Sequence, residues 1–199
     1  MPATLSCVVL GREPSGESHL LLTVLDGEEG VSRCLVRARA AGKSERPDLF
    51  DDAEVALEPA KGGANRFARD YRVTARRTGI GRSPAALERA SRLCNLLRRN
   101  PPPPESAQVA LRIARETLDA MAGRPRPDAA YLKALWLLLK DGGWPVEADW
   151  LGRLGARAAT AASVLSRPLD GQEVDAAGVA ALAEDLERWA AGEVHYILP

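Results

Sequence analysis

Arginine recurs in two stretches of the N-terminal half, as Arg33, Arg37 and Arg39 in VSRCLVRAR and as Arg66, Arg72 and Arg76 in RFARDYRVTAR. Lys43 and Arg46 lie between them in the loop-like AAGKSERP. Guanidinium is planar, always charged and rich in donors, so it suits phosphate. Residues on one face of a strand stand roughly 6.6 Å apart, and a row of cations at that pitch fits a polyanion. The eight residues Arg33, Arg37, Arg39, Lys43, Arg46, Arg66, Arg72 and Arg76 are therefore the candidate nucleic-acid contacts. Each taken singly also reads as a solvated arginine on an ordinary surface strand.

Other chemistry fits the sequence poorly. Gly11 to Gly16 has the glycine spacing of a phosphate loop, but Glu17 stands where lysine is needed. The two histidines, His19 and His195, have no triad or metal-ligand spacing, and the acid pairs Asp51-Asp52 and Glu184-Asp185 read as solvated. Cys7, Cys34 and Cys94 form no Cys-x-x-Cys pair and read as buried thiols of a reducing compartment. The sequence thus predicts no enzyme, no metal and no cofactor. No run approaches a membrane span and no leader is visible, so a cytoplasmic protein is expected.

The cations need strands to carry them. Thr4 to Arg12, Leu20 to Leu25, Val31 to Arg39, Ala53 to Pro59 and Arg66 to Arg77 are apolar or alternating runs bounded by glycine-rich turns. Asp26-Gly27-Glu28-Glu29-Gly30 is a hairpin signal between the second and third. On the third, Cys34, Val36 and Ala38 share one parity while Arg33, Leu35, Arg37 and Arg39 share the other. On the fifth, Phe67, Tyr71, Val73 and Ala75 share a parity that Arg69 interrupts. This places Phe67 and Tyr71 in the core, so base stacking should contribute little and phosphate contacts should dominate. Five short strands predict an oligonucleotide/oligosaccharide-binding (OB) type barrel, with an SH3-like barrel as the alternative.

From Ser83 the period changes to 3.6. Ser83-Pro84 opens a helix that runs to Asn100, before four prolines; Ser106 to Met121 is a second. Asp128 is expected to cap a third, Ala129 to Lys140, which has little polar surface. Val146 to about Ala159 and Val174 to Ala191 supply two more. All four tryptophans, 136, 144, 150 and 189, lie here and read as packing. The expected organisation is α+β and multi-domain, with a five-stranded OB-type barrel over residues 1–80 and an all-α helical bundle over 83–199. The chain has 27 basic and 27 acidic residues, with a basic surplus in its first hundred and an acidic one thereafter. Any polyanion should thus meet the barrel.

Gly16-Glu17-Ser18, then Leu21-Leu22-Thr23-Val24-Leu25, Gly30-Val31 and Arg37-Ala38-Arg39 leading to Gly42-Lys43-Ser44 follow one another in an order and spacing that resembles the N-terminal domain of the RecO family of bacterial recombination mediators. Leu57-Glu58-Pro59 sits where that family has its next strand. The resemblance covers residues 4 to 80, with Tyr131 to Trp150 the most similar part of the helical half. It implies a non-enzymatic, nucleoid-associated protein that binds single- and double-stranded DNA and anneals strands. It also implies a RecR-type partner and contact with the tail of single-stranded DNA-binding protein. The chain departs from many members in having only Cys94 where they carry a four-cysteine zinc module, and in a tail, Glu193 to Pro199, that lacks the basic, serine-containing ending the family implies. The other reading, from a different class, is a protein-binding adaptor whose barrel holds a peptide and whose acidic helical half docks a partner.

Overall fold

The computed structural model describes residues 3–37, 46–58 and 66–199. Five strands come first: β1 (Ala3–Ser15), β2 (His19–Asp26), β3 (Val31–Arg37), β4 (Asp52–Leu57) and β5 (Arg66–Ala75). They close into a barrel in the order β1-β2-β3-β5-β4, with β1 antiparallel to both β2 and β4. β3 and β5 meet in parallel, through Cys34 opposite Arg66 and Leu35 opposite Phe67. A meander would pair only sequence neighbours, whereas this Greek-key closure is that of the OB barrel, which decides against the SH3-like alternative.

Alternation fills the barrel. Leu5, Cys7 and Val9 of β1, Leu20, Leu22 and Val24 of β2, Cys34 and Val36 of β3, Ala53, Val55 and Leu57 of β4 and Tyr71 of β5 form one buried cluster. Two bulges matter. In β1, Val9 pairs with Val24 but Gly11 with Thr23, so Leu10 is an extra residue, and the strand runs on to Ser15, past the Arg12 expected as its end. In β5, Ala56 faces Asp70 but Leu57 faces Ala68, so Arg69 is extra and the alternation flips there. Tyr71 and Ala68 consequently both meet the core, and Phe67 turns outward. It is 49% exposed, and its expected core position is corrected.

By contact the chain divides into two units, Met1–Arg77 with Pro101–Arg112, and Thr78–Asn100 with Ile113–Pro199. The first unit therefore holds the barrel and the segment 101–112. Gly27 approaches Gln108 so closely that a Cβ would fall 1.9 Å from its Oε1, and a Cβ on Gly30, whose φ is +84°, would fall 2.7 Å from the Pro102 carbonyl oxygen.

The helices are α1 (Pro84–Arg99), α2 (Pro104–Gly123), α3 (Pro127–Asp141), α4 (Ala158–Ser166) and α5 (Ala176–Glu193). α1 opens as its sequence requires: the Ser83 hydroxyl accepts from the Ala86 amide at 3.2 Å and Pro84 takes the first position. α2 starts at the last of the four prolines, two residues before the expected Ser106, because proline at a first helical position loses no hydrogen bond. Asp128 is not the cap of α3: Arg126 holds that place at φ +67°, and Asp128 lies in the first turn, taking the Arg126 guanidinium at 2.7 Å. Val146 to Ala159 is not one helix; it breaks into a π turn over Glu147–Leu151 and a 3-10 turn over Gly155–Arg157, and α4 follows.

α3 packs against α1, α4 and α5, and Tyr131, Leu132 and Leu135 are wholly buried there. Trp136, Trp150 and Trp189 pack inside, the first two with ring centroids 5.7 Å apart. Trp144 is 41% exposed, against the expectation that all four are packing residues.

Candidate nucleic-acid interface

With Leu20, Leu22 and Val24 turned into the barrel, the odd-numbered residues of β2 face out, and register carries that face across the sheet. His19 stands opposite Arg37, Leu21 opposite Leu35, and Thr23 opposite Arg33. Leu35 continues to Phe67 on β5. The outer face of β2, β3 and β5 thus carries an apolar row, Leu21-Leu35-Phe67, between two rows that each end in an arginine. Arg33 and Arg37 are exposed, while Leu21, Leu35 and His19 are half-buried. The His19 ring meets Phe67 nearly perpendicularly, 6.1 Å between centroids, and the Ser18 hydroxyl lies 2.9 Å from His19 Nδ1. Glu13 extends the same row across β1, opposite Leu21. Toward the other end of this face Val8 and Leu25 are fully buried, so the open part is the end that holds Phe67.

Of the six candidate cations among the described residues, three are paired with acids. Arg66 Nη1 donates to Glu29 at 2.6 Å, and Arg72 donates to Glu54, its direct cross-strand neighbour, at 2.8 Å. Arg76 holds the buried Asp51 carboxylate at 3.0 Å and the Arg46 carbonyl at 2.8 Å. Burial pushes the Asp51 carboxyl above its ordinary value, against the Asp48 amide and Arg76, which favour the ionised form. Arg33, Arg37 and Arg46 are exposed and have no acidic partner among the described residues. Arg39 and Lys43 lie outside the described residues.

Of the face itself, Arg33 and Arg37 were legible from strand parity. Leu35 shares that parity, whereas nothing in the sequence places Phe67, His19 and Leu21 on this face. The one signal for Phe67 was the break in alternation at Arg69, which marks a bulge rather than an exception. The partners of Arg66, Arg72 and Arg76 depend on register and so could not be read at all.

Below this face the Cys34 thiol, buried beside Arg66, is pushed up to about 11 by burial, against the pull of the guanidinium, so it remains a protonated core residue. Among the described residues no group of three His, Cys, Asp or Glu is placed to hold a metal ion, and no helix is long and apolar enough to cross a membrane. The helical unit has a cavity of about 350 Å3 between Trp150, Trp189 and Arg153. Its cations are engaged: Arg153 with Glu193 at 2.9 Å, and Arg157 and Arg188 with Asp185 at 2.8 and 3.5 Å. Neither a protein-family model nor a characterised protein matches the chain.

Proposed function

We propose that this protein binds DNA, single- and double-stranded, through the outer face of β2 and β3, and acts as a RecO-like recombination mediator that anneals strands and assists recombinase loading in DNA repair. One observation carries the reading: Arg33 and Arg37 project from the strand 2–3 face that OB barrels use for oligonucleotides, and no acid among the described residues neutralises them. Arg46 is exposed before β4, and Arg39 and Lys43, outside the described residues, precede it in the sequence. Arg66, Arg72 and Arg76 are paired with Glu29, Glu54 and Asp51, so we give them a smaller part in the interface. The order of motifs from Gly16 to Ser44 supports the mediator role, with a RecR-type protein and the tail of single-stranded DNA-binding protein as partners in the cytoplasm.

The adaptor reading keeps one point in its favour, the exposed apolar row around Phe67. Salt separates the two, because counterion release belongs to polyanion binding. Anisotropy of a labelled 30-nucleotide strand, titrated at several salt concentrations, should show binding that weakens steeply with salt and is largely lost in an Arg33→Ala/Arg37→Ala variant. No binding at low salt would sink the DNA reading and leave the adaptor.

A further inference from the structure

A protein that met DNA only by phosphates would have little use for an aromatic side chain left half in water. Phe67 is placed outward by a bulge, on a strand whose other large residue, Tyr71, is in the core. It lies in register with Leu35, which stands between Arg33 and Arg37 on β3. His19, opposite Arg37, braces the ring near-perpendicularly, and such a contact leaves at least one ring face uncovered. Charge and aromatic face are thus offered together: guanidinium groups on either side of a flat apolar row.

We infer that Phe67 is a stacking platform for an unpaired base, held between the phosphate contacts of Arg33 and Arg37, and that this face therefore prefers single-stranded to duplex DNA. The inference rests on the DNA reading above and adds the choice of strand form to it. A base in a duplex already has both faces stacked on neighbours and shows only its edges in the grooves, so Phe67 gains nothing from it. A base in a single strand has a π face to give, whatever its identity, so the preference is for unpaired strands without sequence selectivity. His19 is a positioning residue in this scheme, setting the ring orientation. The bulge at Arg69 is what makes the platform: without it, alternation from Tyr71 would send position 67 into the core.

The test uses the full chain with a labelled 30-nucleotide strand and the matching 30-base-pair duplex at fixed salt, comparing the parent with Phe67→Ala, Phe67→Trp and Arg33→Ala/Arg37→Ala. Phe67 is exposed, so its loss leaves no core cavity. Phe67→Ala should weaken single-strand binding roughly tenfold, the scale of one lost stacked base, and change duplex binding less than twofold. Phe67→Trp should restore single-strand affinity. The arginine variant should weaken both. If Phe67→Ala leaves both affinities unchanged, or lowers both equally, while the arginine variant still weakens salt-sensitive binding, the platform is wrong and the DNA reading stands. If the parent binds neither nucleic acid at low salt, both fall.

Discussion

Glu187 on α5 is a carboxylate with only 4% of its side chain exposed, and it survives there because three donors converge on it. Arg92 of α1 donates from Nε and Nη2 at 2.6 and 2.5 Å, and the Tyr131 hydroxyl of α3 at 2.5 Å. Burial would raise the carboxyl, but the Arg92 and Tyr131 hydrogen bonds outweigh it and hold Glu187 below its ordinary value. Tyr131 moves up, first by burial and then by its bond to the carboxylate, so it stays a donor. The cluster ties three helices through one anion. Removing the anion leaves the half-buried Arg92 guanidinium and the buried Tyr131 hydroxyl without it; loss of one partner of a fully buried pair costs about 3–5 kcal/mol, so Glu187→Ala should shift urea unfolding by about 3 kcal/mol or somewhat less. The sign of the pH effect follows from the depressed value. This stabilisation is complete above the unfolded-state value of about 4.3 and disappears as pH falls through the folded value. Parent and Glu187→Gln should therefore differ at pH 7, with the gap closing as pH falls below about 4.3, and a gap that widened in acid would contradict the assignment. None of this was visible in the sequence, where Glu187 reads as one more charge in AEDLERW; its partners stand 56 and 95 residues away.

Two turns of the barrel show how an element fixes its residue type by different means. Gly16, between β1 and β2, has φ +66° and open space around it, whereas Gly30, ending the β2–β3 hairpin, combines φ +84° with the Pro102 carbonyl where a Cβ would go. Gly16→Ala should cost only the left-handed strain of about 1–2 kcal/mol. Gly30→Ala adds a clash with backbone that cannot rotate aside, and should cost about 1–3 kcal/mol more. Denaturant unfolding of the two variants measures the difference directly, and equal losses would mean that Pro102 yields freely. The turn itself was legible, because Asp26-Gly27 and Gly30 announce it; Asp26 Oδ1 indeed accepts from the amides of Glu28 and Glu29 at 2.8 Å. Its approach to residues 102 and 108 was not, since no local pattern encodes it. The same division runs through the chain. The five strands and α1 follow period and cap chemistry, and α3 follows its period alone. The break of Val146–Ala159 includes Gly155 at φ +55°, a glycine that helix propensity disfavours, whereas the flip at Arg69 is a register shift against β4 that strand propensity does not describe.

Across the whole molecule, charge is balanced, and the basic surplus of the first hundred residues pointed to the barrel as the anion-binding part. The structure narrows that surplus. Arg66, Arg72 and Arg76 pair with Glu29, Glu54 and Asp51, so the proposed interface rests, among the described residues, on Arg33, Arg37 and Arg46; Arg39 and Lys43 lie outside them. The number of phosphates neutralised sets the salt dependence, at about −0.7 in log affinity per log salt for each contact on a single strand. Six contacts drawn from the full set of eight cations would give a slope near −4. Three to five contacts give about −2 to −3.5. The parent should fall in that shallower range, and Arg33→Ala/Arg37→Ala should reduce the slope by about 1.4, whereas Arg72→Ala, which removes a residue occupied by Glu54, should leave it unchanged. Phe67→Ala should lower single-strand affinity with the slope preserved, because a stacked base releases no counterion. An unchanged slope in the double arginine variant would move the interface off this face. A slope that fell with Phe67 would mean the ring positions the arginines rather than a base.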